Sequence, residues 1–127
     1  MTDRLPADAV ALLREAHEVQ IETRPAPDVP PHLTTIWVVV DEADRVFIRT
    51  YRGPGSRWYR EATASGLVAL LADGQRIEAR VSPAIDASSV EACSDAFRAK
   101  YRTSGASLAA MLVPEVLPTT LELLPVD

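Results

Sequence analysis

The chain has 127 residues, a formal net charge of −5 and a hydrophobic fraction of 47%. This length and hydrophobicity predict one folded domain over residues 1–127 and exclude a disordered chain. The acidic balance argues against general binding to nucleic acid or to an anionic membrane.

Cysteine and histidine are scarce. Cys93 is the only cysteine, so no disulfide can form within the chain and a cysteine-based metal site is disfavoured. His17 and His32 lie far apart without a metal-ligand spacing, so we expect no metal. The N-terminus lacks the apolar core of a signal peptide, and no stretch approaches transmembrane length. A cytoplasmic protein is the expectation.

The first half of the chain predicts a helix followed by strands. Apolar residues repeat at helical spacing in the first segment, and a four-proline stretch cannot be an internal strand. A β-branched run is typical of a central strand that is covered on both faces. The predicted elements are a helix over 6–17, a strand over 18–24, a loop over 25–32, a central strand over 34–40, a turn over 41–44 and a strand over 45–50.

Turn and capping residues divide the second half. Ser56 is placed to cap a short helix, and Asp73-Gly74 is a favoured hairpin turn. Ser88 and Glu91 have the spacing of a capping box. The predicted elements are a helix over 57–65 ended by Gly66, strands over 67–72 and 75–81, a helix over 88–102, helical turns over 107–113 and a final strand over 118–125. Because hairpins predominate, six short strands should form a mainly antiparallel, closed or partly closed barrel.

An arginine-rich segment is the strongest functional signal. Five of the twelve arginines lie within Arg45–Arg60, which contains no Asp or Glu. A strand there runs into a glycine turn and a helix start, where backbone amides, the helix dipole and arginine side chains favour an anion. The alternative is a solvated arginine surface that pairs with Glu61 or with acids elsewhere. The groups predicted to bind an anion belong to Arg52, Gly53, Gly55, Ser56 and Arg57.

Several aromatic residues admit two interpretations. Trp58 and Tyr59 either contact a bound ring or a second subunit, or anchor the helix to the barrel. We expect one of them to anchor and leave the other open. Trp37 is predicted to be core, and Phe47 covers a cofactor or interface or belongs to a second core layer. His17 is predicted to interact with the C-terminal dipole of the first helix.

No residue stands out as a catalyst. The sequence has no Gly-x-Ser-x-Gly nucleophile elbow and no carboxylate pair with acid–base spacing. Cys93 lies on a predicted buried helix stripe, where it acts as a small hydrophobe. Catalytic residues are therefore left unassigned, which is the expectation if a bound cofactor carries the chemistry.

Three segments resemble a known family. They are TTIWVVV at 34–40, RVFIRTYRGPGSRWYREA at 45–62 and TLELLP at 120–125. They resemble an uncharacterised bacterial family, a domain of unknown function, within the FMN-binding split-barrel superfamily. That superfamily also contains pyridoxamine-phosphate oxidase and deazaflavin-dependent nitroreductases. The resemblance covers about residues 18–125 and implies a mainly β (α+β) fold, a six-stranded antiparallel split β-barrel with flanking short helices.

The resemblance also implies a cofactor site. In the superfamily, the strand after the first hairpin turn and the following loop hold the cofactor phosphate, and two subunits usually pair around the cofactor. Thr34 and Thr35 would lie near the ring system, as would Trp58 if it stacks. The sequence lacks the Arg-Ser/Thr-x-x-Leu-Lys pattern of pyridoxamine-phosphate oxidases, and its loop is closer to the Gly-Ser-Lys/Arg type of the deazaflavin branch. The implied phosphate-side residues are Arg49, Thr50, Arg52, Ser56 and Arg57, and the Gly55 amide would assist them.

Two hypotheses follow for the function. The first is a homodimeric split barrel that binds FMN or a deazaflavin and acts as an oxidoreductase on a small molecule. The second is a cofactor-free barrel whose arginine loop recognises an anionic metabolite or an acidic partner. Neither hypothesis involves nucleic acid or a membrane.

Overall fold

A computed structural model describes residues 4–126, which form seven strands and flanking helices. The strands are β1 (Val19–Thr23), β2 (His32–Ile36), β3 (Val39–Val40), β4 (Val46–Ile48), β5 (Leu67–Ala72), β6 (Gln75–Pro83) and β7 (Leu121–Leu124). The helices are α1 (Ala7–Glu15), α2 (Arg57–Ser65), α3 (Ala87–Lys100) and α4 (Gly105–Ala110), with a 3₁₀ turn at Leu117–Thr119. No helix within residues 4–126 combines the length and the apolar character needed to cross a membrane.

The strands form one curled sheet in the order β2-β1-β5-β6-β7-β4-β3, with antiparallel pairing between all neighbours. Strands β2 and β3 lie at opposite ends of this order, although only Trp37 and Val38 separate them in the chain. The sheet must therefore curl until its two ends meet at this break. This arrangement confirms the predicted split-barrel class, mainly antiparallel with flanking helices.

The prediction of one continuous central strand over 34–40 is wrong. The chain leaves β2 at Ile36 and enters β3 at Val39, so this run supplies both ends of the sheet. The later residues of the run are apolar because the chain is buried where it passes from one end of the sheet to the other. Val38 and Val39 are both fully buried there. The break raises the strand count from the predicted six to seven.

Two apolar cores lie on opposite sides of the sheet. The first fills the barrel and includes Ile21, Leu70 and Trp58. The second lies between the sheet and α3, and it contains Phe47 and Cys93. Phe47 therefore belongs to a second core layer, which was one of its two predicted roles. Burial raises the pKa of the Cys93 thiol to about 12, so this cysteine is a packing residue.

The start of α2 agrees with the capping predictions, whereas the start of α3 differs from them. Helix α2 begins after Ser56 as expected, and Gly66 ends it in the left-handed conformation with φ of 77°. Helix α3 begins earlier than predicted, because Asp86 is its N-cap and accepts a hydrogen bond from the Ser89 amide at 3.1 Å. The capping box of Ser88 and Glu91 is therefore wrong, since an aspartate two residues earlier caps the same helix equally well.

Candidate functional site

Most of the predicted site residues line one cavity. It has a volume of about 600 Å³ and is bounded by the end of β2, the segment after β4, the start of α2, and α4. Gly55 and Arg57 do not line it. Seven of the nine predicted site residues do, namely Thr34, Thr35, Arg49, Thr50, Arg52, Ser56 and Trp58.

The strand register explains why these residues meet. Val19 pairs with Ile36, and Val39 pairs with Phe47. Continuing both antiparallel registers into the break between β2 and β3 sets Trp37 opposite Glu18 on one side and opposite Arg49 on the other. All three of these residues line the cavity. The cavity therefore forms where the two ends of the curled sheet come together.

Arg52 is an exposed cation at the cavity. Its guanidinium carbon lies 5.2 Å from the centre of the Tyr51 ring, and its Nε donates to the Tyr51 hydroxyl at 3.1 Å. Thr50 shapes the turn, because its hydroxyl accepts from the Arg52 amide at 3.1 Å and donates to the Gly53 carbonyl at 3.3 Å. Among residues 4–126, no carboxylate lies within ion-pair distance of Arg52.

Arg49 also lines the cavity, but its side chain is only 1% exposed. Its guanidinium donates to the Thr120 hydroxyl at 2.8 Å and to the Met111 and Val90 carbonyls at 3.0 and 2.9 Å. These acceptors are neutral, and burial lowers the pKa of Arg49. Arg49 thus ties α3 and the end of α4 to the sheet, and it leaves an unneutralised positive charge in the cavity wall.

Arg57 does not line the cavity. It lines a separate groove beside Arg60 and Glu61, and its closest hydrogen-bond partner is the Thr34 hydroxyl at 3.5 Å. The Glu61 carboxylate is itself occupied, because His32 Nδ1 lies 2.9 Å and the Thr23 hydroxyl 2.8 Å from its oxygens. Although burial opposes it, these hydrogen bonds and the charge of Arg57 lower the pKa of Glu61. Two arginines of the same segment therefore lie at different sites, Arg52 at the cavity and Arg57 at the groove.

Gly55 likewise lies outside the cavity, and its carbonyl accepts a hydrogen bond from Arg60 Nε at 3.1 Å. Trp58 is 5% exposed and packs in the barrel core, so it anchors α2 while one part of its surface reaches the cavity. Tyr59 is partly buried and packs against the same core. The anchoring interpretation thus describes both aromatic residues of α2.

The prediction that Trp37 is simply a core residue is wrong in one respect. Trp37 is partly buried, packs against the second core and also lines the cavity. It does so because it occupies the strand break, where the chain no longer alternates between the two faces of the sheet. His17 follows the end of α1 at Glu15, and its ring contacts Trp37 and Tyr101 edge-on rather than capping the helix.

Several lining residues were missed from the sequence. Glu18 was assigned only to a strand, and Tyr51 was not considered beside Arg52. The residues contributed by α4 and its end are far away in the chain, and nothing in their local sequence indicates a site. These last residues are Ala106, Ser107, Ala110 and Met111.

The described residues contain no cluster of His, Cys, Asp or Glu suited to a metal ion. Within residues 4–126, the titratable side chains that line the cavity are Glu18, Arg49, Tyr51 and Arg52. The arrangement offers positive charge and hydroxyl groups on one part of the wall, and apolar and aromatic surface on another. It is suited to a ligand with an anionic group and a flat apolar body.

Comparisons with known proteins agree with this architecture. Residues 9–123 match a family described as uncharacterized proteins conserved in bacteria, DUF2255. No curated protein sequence matches the chain.

Solved structures share the fold. A conserved hypothetical protein, Rv2991 from Mycobacterium tuberculosis, has a TM-score of 0.66 at 15% identity, covering 100% of this chain and 84% of that one. HutZ, the heme storage protein from Vibrio cholerae, has a TM-score of 0.63 at 14% identity, covering 98% and 92%. A Listeria innocua protein provisionally described as a pyridoxamine 5′-phosphate oxidase has a TM-score of 0.62 at 14% identity, covering 94% and 92%. At these identities the likeness shows the fold alone.

Proposed function

The chain belongs to the bacterial family DUF2255, and from this family and its split-barrel fold we propose that the cavity binds a flavin-type nucleotide, FMN or a deazaflavin. The protein would then act as an oxidoreductase on a small molecule. The observation that carries the proposal is Arg52, an arginine without a carboxylate partner in residues 4–126, at a cavity of about 600 Å³.

The phosphate end of the ligand is assigned to Arg52 and the start of α2. Helix α2 has nine residues and no acidic residue in its first turn, so its dipole is left to favour an anion. Ser56 lines the cavity, and its hydroxyl makes no capping hydrogen bond within residues 4–126. The buried charge of Arg49 adds to the positive potential, since no carboxylate in residues 4–126 neutralises it.

The ring end is assigned to the apolar part of the wall. Ile36, Trp37 and Met111 line it together with the small residues of α4. The cavity volume falls within the range of about 300–1,000 Å³ that is typical of small-molecule sites. A bound flavin supplies redox chemistry by itself. The protein needs only to hold the phosphate, orient the ring and limit water, which accounts for the unassigned catalytic residues.

Haem fits the lining less well than a flavin. One protein of similar fold is the heme storage protein of Vibrio cholerae, and haem iron takes His, Cys, Met or Tyr as an axial ligand. Among the described residues, no histidine or cysteine lines the cavity, and Met111 and Tyr51 are the only side chains of these types. Tyr51 is already engaged with Arg52.

We extend the proposal to a homodimer with the cofactor between two subunits. The cavity is partly open, and its lining residue Tyr51 is 59% exposed. Leu33, the neighbour in β2 of the lining residue Thr34, is 48% exposed. A second subunit over this face would cover these residues and close the cavity. Light scattering with and without FMN tests the proposal, because a protein that stays monomeric in both conditions would contradict the dimer.

A second candidate function is a cofactor-free module that recognises an anionic metabolite or an acidic partner. The observation that favours it is the separate groove of about 970 Å³, which Arg24, Arg57, Arg60 and Arg76 line. Glu22, Glu61 and Glu78 also line this groove, and Glu22 forms an ion pair with Arg76. We prefer the cavity at Arg52 because Trp37 and Trp58 line it, whereas no aromatic residue of the described chain lines the groove.

The test is direct binding. The purified protein is examined for a visible flavin spectrum and then titrated with FMN, a deazaflavin nucleotide and haem. We expect FMN or the deazaflavin to bind with a Kd at or below about 10 μM, and Arg52→Ala to weaken binding by about tenfold or more. Arg102→Ala removes the same charge from an exposed position outside the cavity and should bind like the wild type. A colourless protein that binds neither flavin would overturn the proposal.

A further inference from the structure

Trp37 lines the cavity and also packs against three other rings. Its indole stacks on the Tyr101 ring with a centroid distance of 3.8 Å and an interplanar angle of 3°. Phe97 lies beside both rings, and His17 meets them edge-on. These neighbours do not enclose Trp37 completely, because it is only partly buried and also lines the cavity.

Tyr101 is in turn fixed by the strand break. It is 1% exposed, and its hydroxyl donates to the carbonyls of His17 at 2.6 Å and Val38 at 3.3 Å. Lys100 Nζ donates to the same Val38 carbonyl at 2.7 Å and to that of Leu13 at 2.9 Å. Val38 lies between β2 and β3, outside both strands. The end of α3 therefore fixes both the backbone of the break and the plane of the indole.

We propose that Trp37 is the contact surface for the ring system of the nucleotide and that Tyr101 is the positioning residue that holds it. This inference rests on the proposed function and makes it specific, since the ligand must then carry a flat aromatic ring as well as an anionic group. An indole that is already immobilised loses little conformational freedom on binding, so its contact with a ring is gained at low entropic cost.

The other aromatic residues of the cavity are less suited to this role. Trp58 is 5% exposed and belongs to the barrel core. Tyr51 is 59% exposed and already lies against the Arg52 guanidinium, in the part of the cavity assigned to the phosphate. Trp37 comes from the break between β2 and β3, whereas Arg52 comes from the segment between β4 and α2. Different segments of the chain thus supply the ring contact and the phosphate contact.

The test compares FMN with riboflavin, which has the same ring and no phosphate. Trp37→Leu should raise the Kd for both ligands by roughly ten- to a hundredfold, the range expected for loss of an aromatic stacking partner. The Kd for riboflavin divided by the Kd for FMN should not change, because the phosphate contact is intact. In Arg52→Ala this ratio should fall, because only FMN loses a contact. Emission from bound FMN should also rise in Trp37→Leu, since contact with an indole quenches flavin fluorescence.

Tyr101 is tested with two substitutions. Tyr101→Phe keeps the stacked ring and loses only the hydroxyl bonds, so it should bind FMN within about threefold of the wild type. Tyr101→Leu removes the stack and should weaken FMN and riboflavin together, as Trp37→Leu does. If Trp37→Leu folds and binds both flavins like the wild type, the assignment of Trp37 as the ring contact is wrong while the proposed function stands. If the wild type binds no flavin, both fail.

Discussion

Two pairs of cations in this protein differ in what their charges do. Arg49 is buried and Lys100 is partly buried, and their N–H groups bond mainly to backbone carbonyls of distant segments. Arg52 and Arg57 are exposed, on a loop and at the start of α2, and neither forms an ion pair within residues 4–126. The first pair holds the fold together, and the second is available to a ligand.

The difference follows from the cost of burying charge. A cation is taken out of water only where hydrogen bonds replace its hydration, and such groups become part of the structure. An exposed arginine without a carboxylate partner contributes little to stability. Arginine density in the sequence therefore marks a region of interest, and burial decides which arginine is structural.

The largest expected effect is the loss of the Arg49 clamp. Arg49→Ala removes a donor from the buried Met111 carbonyl, the partly buried Val90 carbonyl and the Thr120 hydroxyl, so we expect it to lower the free energy of unfolding by about 3 kcal/mol or more. Urea denaturation measures this. Arg52→Ala, which removes an exposed arginine three residues further along the chain, should change stability by only about 0.5 kcal/mol. Equal losses in the two variants would break the comparison.

The next effect separates the two exposed arginines. Arg52 lines the cavity and Arg57 lines the groove, although both were predicted to hold phosphate. We expect Arg52→Ala to raise the Kd for FMN by about tenfold or more, because a hydrogen bond to a charged group contributes about 1.5–3 kcal/mol. Arg57→Ala should stay within about threefold, reflecting only screened long-range charge. Fluorescence titration decides, and a larger effect at Arg57 would contradict the geometry.

The smallest effect concerns Lys100 and is a change with pH. Burial lowers the pKa of Lys100 to about 8, against an ordinary value of 10.5. Between these values the unfolded chain holds the proton and the folded protein releases it, so this group makes stability rise as pH rises from about 8 to 10. Partial exposure screens the effect. Thermal melts of wild type and Lys100→Met across this range measure it.

The same thermal melts test two further expectations for the Lys100→Met variant. It should be less stable at every pH, because the carbonyls of Leu13 and Val38 lose a donor. Its stability should lack the rise that the wild type shows above pH 8. A rise in the variant as large as that in the wild type would show that another group carries the pH dependence.

Much of the fold was predictable because local patterns are consistent with it. The Asp73-Gly74 turn, the helix that ends at Gly66 and the alternating strands carry their own signals, and the antiparallel barrel follows from the number of hairpins. The run at 34–40 was mispredicted because a β-branched stretch reads as one strand. Nothing local shows that it divides between the two ends of a closing sheet.

The candidate site was predictable only where it lies within one segment. Thr50, Arg52 and Ser56 come from the arginine loop and do meet at one cavity. Glu18, Trp37 and α4 join them through strand register and helix packing, which are long-range properties. The burial of Arg49 could not be predicted from the sequence either, because the groups that accept its hydrogen bonds lie 41 to 71 residues away in the chain.

The most direct test of the account is a crystal structure of the protein with FMN. We predict the phosphate within hydrogen-bond distance of the Arg52 guanidinium and the Ser56 region, with the ring system against Trp37. FMN bound in the groove beside Arg57, or a cavity that stays empty at saturating FMN, would contradict the central claim.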